Sequence, residues 1–133
     1  MKRILFYLLL ITGMAAGCKK KEGNLPDPLH KRWFLHKIER QYTDKSGNPH
    51  PNLKPQSNTV DNREMFFEFT AEGKFLTYEG NGTYQRTGDR ITFQLPQTTG
   101  EYGYQLQQDE LILTSRVEGI TYNESGRFTL KPL

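Results

Sequence analysis

The sequence predicts an all-β fold, an eight-stranded antiparallel up-and-down β-barrel, on three observations. Apolar and polar residues alternate with a period of two along nearly the whole chain after residue 30, which is the pattern of half-buried strands. Tight-turn residues recur between the alternating runs. Aromatic residues are plentiful while Ala is sparse, a balance that favours strands over helices. No run offers an apolar i, i+3, i+4, i+7 pattern of useful length. A single domain over residues 30–133 is expected.

The first strand is read over residues 31–42. Trp33 and Leu35 share one parity and Ile38 and Tyr42 the other, so a β-bulge near His36–Lys37 would reconcile them. A loop follows over Thr43–Asn62, with Gly47, Pro49, Pro51 and Pro55. A loop of this length is uncommon in a compact domain and is often functional; the alternative is an insertion without a role. It would lie at one mouth of the barrel. The second strand, 64–70, alternates Met65, Phe67 and Phe69 with Phe66, Glu68 and Thr70, and Ala71-Glu72-Gly73 turns the chain. The third, 74–79, places Phe75 and Thr77 against Leu76 and Tyr78, and Gly80-Asn81-Gly82 reads as the next turn. A short strand over 83–87 ends at the hairpin signal Gly88-Asp89. Ile91, Phe93 and Leu95 alternate over 90–95, and Pro96 and Gly100 bracket a loop. Tyr102, Tyr104 and Leu106 alternate over 101–107. Gln108-Asp109 turns into a seventh strand, 110–116, with Leu111 and Leu113. The last strand, 126–131, carries Phe128 and Leu130.

A sheet with one apolar face must cover it. With no helix to do so, closure on itself is the expected solution, and closure also removes the edges. A two-sheet sandwich is the alternative fold. An eight-stranded barrel has room for its own side chains or for one small ligand. One parity of five consecutive strands puts Phe67, Phe69, Phe75, Phe93, Tyr102 and Tyr104 on the inner wall, and these are the ligand-binding candidates. Thr77, Glu79 and Arg86 are polar residues of inward parity and suggest a wet, open end.

The first 29 residues read differently. Lys2 and Arg3 precede an apolar run, Ile4–Ile11, far shorter than the roughly 20 residues a spanning helix needs, so it reads as a signal segment to be left out of the fold. Ala15-Ala16-Gly17 then leads to Cys18, the single cysteine. This arrangement resembles the lipobox of bacterial lipoproteins. The resemblance implies that residues 1–17 are removed, that Cys18 is acylated and that the chain is tied to a membrane by lipid. Several acyl chains anchor stably, whereas one alone binds only marginally. An ordinary cleaved signal peptide is the alternative. Acylation would also leave no free thiol for a disulfide, thiolate catalysis or a metal. Residues 18–29 read as a lipid-anchored linker, with Lys19, Lys20 and Lys21 suited to anionic headgroups and Gly and Pro after them. Surface-exported Bacteroidetes lipoproteins resemble one another in an acidic run at this place. The basic run here therefore points to the outer membrane facing the periplasm.

Loss of Lys2 and Arg3 lowers the formal charge from +3 to +1, and no concentrated basic face remains to suggest nucleic acid. His30, His36 and His50 lack metal-ligand spacing. No nucleophile elbow, phosphate loop or dinucleotide fingerprint occurs. The reading is a monomeric non-enzyme with no cofactor and no metal, whose partners are the membrane, through Cys18, and a small apolar ligand.

Trp33-Phe34-Leu35, Phe67-Glu68-Phe69-Thr70-Ala71-Glu72-Gly73-Lys74-Phe75, Tyr84 with Gly88-Asp89-Arg90-Ile91, Tyr104-Gln105-Leu106 and Leu111-Ile112-Leu113 together resemble the lipocalin-like domains of small Bacteroidetes lipoproteins. The resemblance implies a small calycin-type barrel that binds small apolar or amphipathic molecules, with the long first loop as a lid. It also implies that Trp33 closes the barrel base beneath an arginine of the last strand, Arg127, with Arg116 as second choice. A filled barrel acting through its surface or the 43–62 loop is the competing reading, and a protease inhibitor a more distant one.

Overall fold

The computed structural model describes residues 26–133. Eight strands follow one another: β1 (Arg32–Thr43), β2 (Gln56–Phe69), β3 (Lys74–Thr77), β4 (Gly80–Thr87), β5 (Arg90–Leu95), β6 (Thr98–Gln107), β7 (Glu110–Glu118) and β8 (Asn123–Pro132). Each pairs antiparallel with the next, and β8 pairs back onto β1, so the sheet is a closed barrel in simple up-and-down order. The period-two pattern is thereby explained: one parity faces a common interior and the other faces solvent.

Closure sorts the two ends. At the base lie the start of β1, the β2–β3, β4–β5 and β6–β7 turns, and the end of β8. At the opposite end lie the β1–β2 loop and the β3–β4, β5–β6 and β7–β8 turns. The glycines of two base turns, Gly73 and Gly88, have φ of 80° and 61°, which L side chains rarely adopt.

The predicted bulge is present. Leu35 pairs with Leu130 and Lys37 with Thr129, so His36 is the extra residue, and the inward parity passes from Leu35 to Ile38 across it. The main boundary differences from the sequence reading are in β2, β4 and β6. β2 begins at Gln56, so the predicted loop over 43–62 contracts to the residues between Thr43 and Gln56. Gly80-Asn81-Gly82 is strand and the turn is Tyr78-Glu79; a Cβ at Gly82 would collide with the Gln94 carbonyl, so close strand approach demands that glycine. Thr98–Gly100 belongs to β6 rather than to a loop.

The core fills the lower half of the barrel. Trp33, Phe69, Ile91, Leu111 and Leu130 are buried there with Phe75, Tyr84 and Phe93. The residues before β1 close the base from below. Leu29 is fully buried in the same cluster, so the segment read as linker over residues 18–29 ends before Asp27. Leu29 offers its carbonyl to the Trp33 Nε1–H at 3.1 Å. Lys31 Nζ stands 5.2 Å from the Trp33 ring centroid and is the cation over that ring. Arg127 is not. It neighbours inward-facing Phe128 and so points outward, with its guanidinium 3.8 Å from Glu39. Arg116 is also exposed, 3.5 Å from Glu118. The placement of either arginine over Trp33 is thereby corrected.

The base is latched by polar contacts as well. Asp27 pairs with Arg86, an inward-parity residue that lies at this closed end and not at a wet mouth. Asp27 also accepts the Leu29 amide at 2.9 Å. The Tyr84 hydroxyl donates to the Thr70 carbonyl at 2.9 Å and lies 3.0 Å from His30 Nε2. Its proton being committed to Thr70, the imidazole N–H is the donor to it. Partial burial pulls the Asp27 pKa up, but the Arg86 hydrogen bond, the Leu29 amide and the charges of Arg86 and His30 outweigh it and hold the carboxyl below its usual value. A folded-state pKa below the unfolded one contributes stability that is present above about pH 4 and lost as pH falls through the folded value. Asp27→Asn is expected to cost about 1 kcal/mol at neutral pH, with the cost shrinking toward zero in urea melts below pH 3. Wild-type and variant curves that run parallel from pH 7 to pH 2 would contradict this role.

Candidate functional site

Above the filled half, the interior opens into a cavity of about 420 Å³. Its bottom is the pair Phe75 and Phe93, stacked with centroids 4.4 Å apart and planes at 21°. Phe67 stacks on Phe75 at 6.0 Å, Tyr102 meets Phe93 at 5.5 Å, and Phe128 sits edge-on to Tyr102 at 6.3 Å. Aliphatic wall is supplied by Leu35, Ile38, Met65, Leu95, Leu113 and Leu130. The bulge at His36 matters here, because it turns Ile38 inward; a regular strand would have directed Lys37 into the cavity.

The wall also depends on Gly100, which has inward parity on β6 and lines the cavity. A Cβ there would stand 2.9 Å from Cε2 of Tyr102. The tyrosine ring therefore lies across the glycine, covering backbone that would otherwise be bare.

The mouth is polar. Thr77, Tyr78, Glu79, Thr98 and Thr99 line it. Thr77 Oγ1 is already engaged: it accepts the Glu79 and Gly80 amides at 3.1 and 3.2 Å and donates to the Gly80 carbonyl at 3.0 Å. Tyr78 is 43 % exposed and packs edge-on against Phe67. Burial first, then the hydrogen bond and charge of Glu79, push its phenol above the usual value.

Of the six wall residues read from the sequence, Phe67, Phe75, Phe93 and Tyr102 line the cavity together. Phe69 has the right parity but is 2 % exposed and belongs to the packed core beneath, against Phe75, Tyr84 and Phe93. Tyr104 packs against that cluster too, and is not among the cavity-lining residues. Its amide donates to the Asp89 carbonyl of the β4–β5 turn at 2.8 Å, so it sits near the base. The residues that sequence reasoning missed include Ile38, Met65, Leu95, Gly100, Thr98 and Thr99. Ile38, Met65 and Leu95 carried a parity signal; Thr98–Gly100 was hidden by assignment to a loop.

The β1–β2 loop lies at the end where the cavity opens, but it contributes none of the cavity-lining residues. It folds onto the β7–β8 turn instead. Lys45 Nζ donates to the Gly119 carbonyl at 2.8 Å and to Asn123 Oδ1 at 3.2 Å, and Tyr42 and His50 both meet the Tyr122 ring edge-on. The lid over the mouth is thereby corrected to a buttress between two hairpins.

The histidines are dispersed: His30 at the base, His36 in contact with Asp61 on the outer wall, and His50 in the loop, where Nδ1 accepts the Leu53 amide at 3.0 Å. Among the described residues no three His, Cys, Asp or Glu side chains form a group that could hold a metal ion. The chain matches no protein family, and no curated protein and no solved structure is significantly similar to it.

Proposed function

We propose that this protein is a lipid-anchored, extracytoplasmic binding protein that holds a small apolar or amphipathic molecule in the upper half of its barrel. The observation that carries the reading is the aromatic-bottomed cavity of about 420 Å³ with a polar mouth. Small-molecule sites are usually concave, mostly apolar and fitted with a few polar groups, over about 300–1,000 Å³. A barrel that served only as a surface would be expected to fill its bore throughout, as this one does below Phe75 and Phe93.

The anchor in this proposal is Cys18, which lies outside the described residues, as do the signal segment 1–17 and Lys19–Lys21. Its support is the lipobox-like Ala15-Ala16-Gly17-Cys18 in the sequence. The chain enters the barrel at its closed base, through Asp27 and Leu29, so the tether leaves from the end opposite the mouth. The proposed location is the outer membrane, facing the periplasm. The proposal includes no catalytic step, cofactor, metal or nucleic acid, and a monomer suffices for it.

One experiment tests both halves. Wild-type protein expressed in a bacterial host is expected in the membrane fraction with a diacylated Cys18 at its mature N-terminus, and Cys18→Ser in the soluble fraction. The soluble protein is then titrated with the neutral fluorophore N-phenyl-1-naphthylamine, and saturable binding at about one site per chain is expected. An unmodified cysteine in the wild type would remove the anchor, and an unsaturable titration would remove the ligand.

A further inference from the structure

The chemistry of the mouth restricts which amphiphile the cavity takes. Resting on the binding function proposed above, we propose that the site selects against carboxylate-headed ligands such as fatty acids and prefers amphiphiles with a cationic head, an ammonium or quaternary amine. Among the described residues that line the cavity, Glu79 is the one charged side chain, and there is no Lys, Arg or His. An apolar tail resting on Phe75 and Phe93 directs its head toward Thr77, Glu79 and Thr99.

A carboxylate head placed there would leave water for a wall of rings and threonine hydroxyls with no cation to receive it, beside an existing negative charge. Both effects are unfavourable. A cationic head meets the Glu79 carboxylate in a mouth lined also by Tyr78 and Phe67, and aromatic rings attract positive charge. Arg40 does not reverse this balance. It shares Ile38's parity on the stretch of β1 above the mouth, but Glu124 stands 3.7 Å from it, so the pair adds no net charge. The adjoining β5–β6 turn, Pro96-Gln97, is uncharged.

Three probes with the same twelve-carbon tail separate the contributions: dodecyltrimethylammonium, dodecanol and laurate, each displacing N-phenyl-1-naphthylamine from the Cys18→Ser protein at low salt, below its micelle concentration. The expected order is ammonium tighter than dodecanol tighter than laurate, with at least a tenfold gap between the charged two. In Glu79→Gln that gap is expected to fall to threefold or less, and 0.5 M salt is expected to narrow it in the wild type. Laurate binding as tightly as the ammonium, or a gap that survives Glu79→Gln, would overturn the charge selection and leave the apolar site standing. Failure of dodecanol and the fluorophore to bind would overturn the binding function, and the selection with it.

Discussion

Trp33→Ala is expected to lower unfolding free energy by about 3–5 kcal/mol, the range for removing a large aromatic from a packed core. Trp33 is 0 % exposed and sits where β1, the end of β8 and the segment before β1 converge. Truncation opens a cavity between Leu29 and the barrel, leaves the Lys31 amide as the remaining donor to the Leu29 carbonyl, and removes the ring beneath Lys31. Small domains hold only about 5–15 kcal/mol in all, so the urea midpoint should fall by a large fraction of its value. Trp33→Phe refills most of the volume and loses the donor, so a smaller cost, about 1–2 kcal/mol, is expected. Lys31→Ala should cost about 0.5–1 kcal/mol through the cation–π contact. Arg127→Ala, on the exposed face, should stay within about 0.5 kcal/mol of wild type. Near-neutral midpoints for Trp33→Ala would show that the base is not held as described. A large loss for Arg127→Ala with none for Lys31→Ala would restore the arginine-capped base.

The barrel was legible in the sequence because most strands are buried on one face only, and alternation is the direct record of that. Where both faces meet solvent, the record disappears. Gln56–Val60 of β2 reads Gln-Ser-Asn-Thr-Val, with four of the five exposed, and is held as strand by pairing to Arg40–Lys37 of β1. The upper ends of β7 and β8 extend for the same reason, paired from Ser115↔Gly126 to Glu118↔Asn123 with few apolar side chains to mark them. Gly80-Asn81-Gly82 misled in the opposite sense. Glycine reports a backbone requirement without saying which, and here close strand approach, not a turn, imposes it.

The candidate site was half legible. Parity says which side of the sheet a residue faces, and it placed Phe67, Phe75, Phe93 and Tyr102 correctly. It says nothing of height along the barrel axis, which depends on strand tilt and stagger. Phe69 and Tyr104 share the wall residues' parity and fall to the base, where Phe69 meets Tyr84 and the Tyr104 amide bonds to the Asp89 carbonyl. Arg127 illustrates the converse. Its position beside Phe128 already fixed it on the outer face, so parity argued against a place over Trp33.

Met65→Trp is expected to weaken binding of a neutral apolar ligand by at least about 30-fold, equivalent to about 2 kcal/mol. Met65 lies in the irregular stretch of β2 between Asn62 and Phe66, is half-buried, and lines the cavity. Its thioether is flexible and its strand is free of ladder pairing at that residue, so an indole can enter the open space without forcing the packed half below. The cavity of about 420 Å³ would then hold the protein's own ring where the ligand's body should lie. Stability should change by less than about 1.5 kcal/mol, because the added bulk enters a void rather than a full core. Tyr104→Trp is the control. Read from parity alone, Tyr104 belongs to the wall and its enlargement should block binding; located near the base, it should leave the dissociation constant within threefold of wild type. Titration of both variants with N-phenyl-1-naphthylamine, alongside urea melts to confirm folding, separates the two placements. Unchanged affinity in Met65→Trp together with loss in Tyr104→Trp would move the binding site out of the upper cavity and down toward the base, where Asp27, Arg86 and Tyr84 would then have to be the residues that meet the ligand.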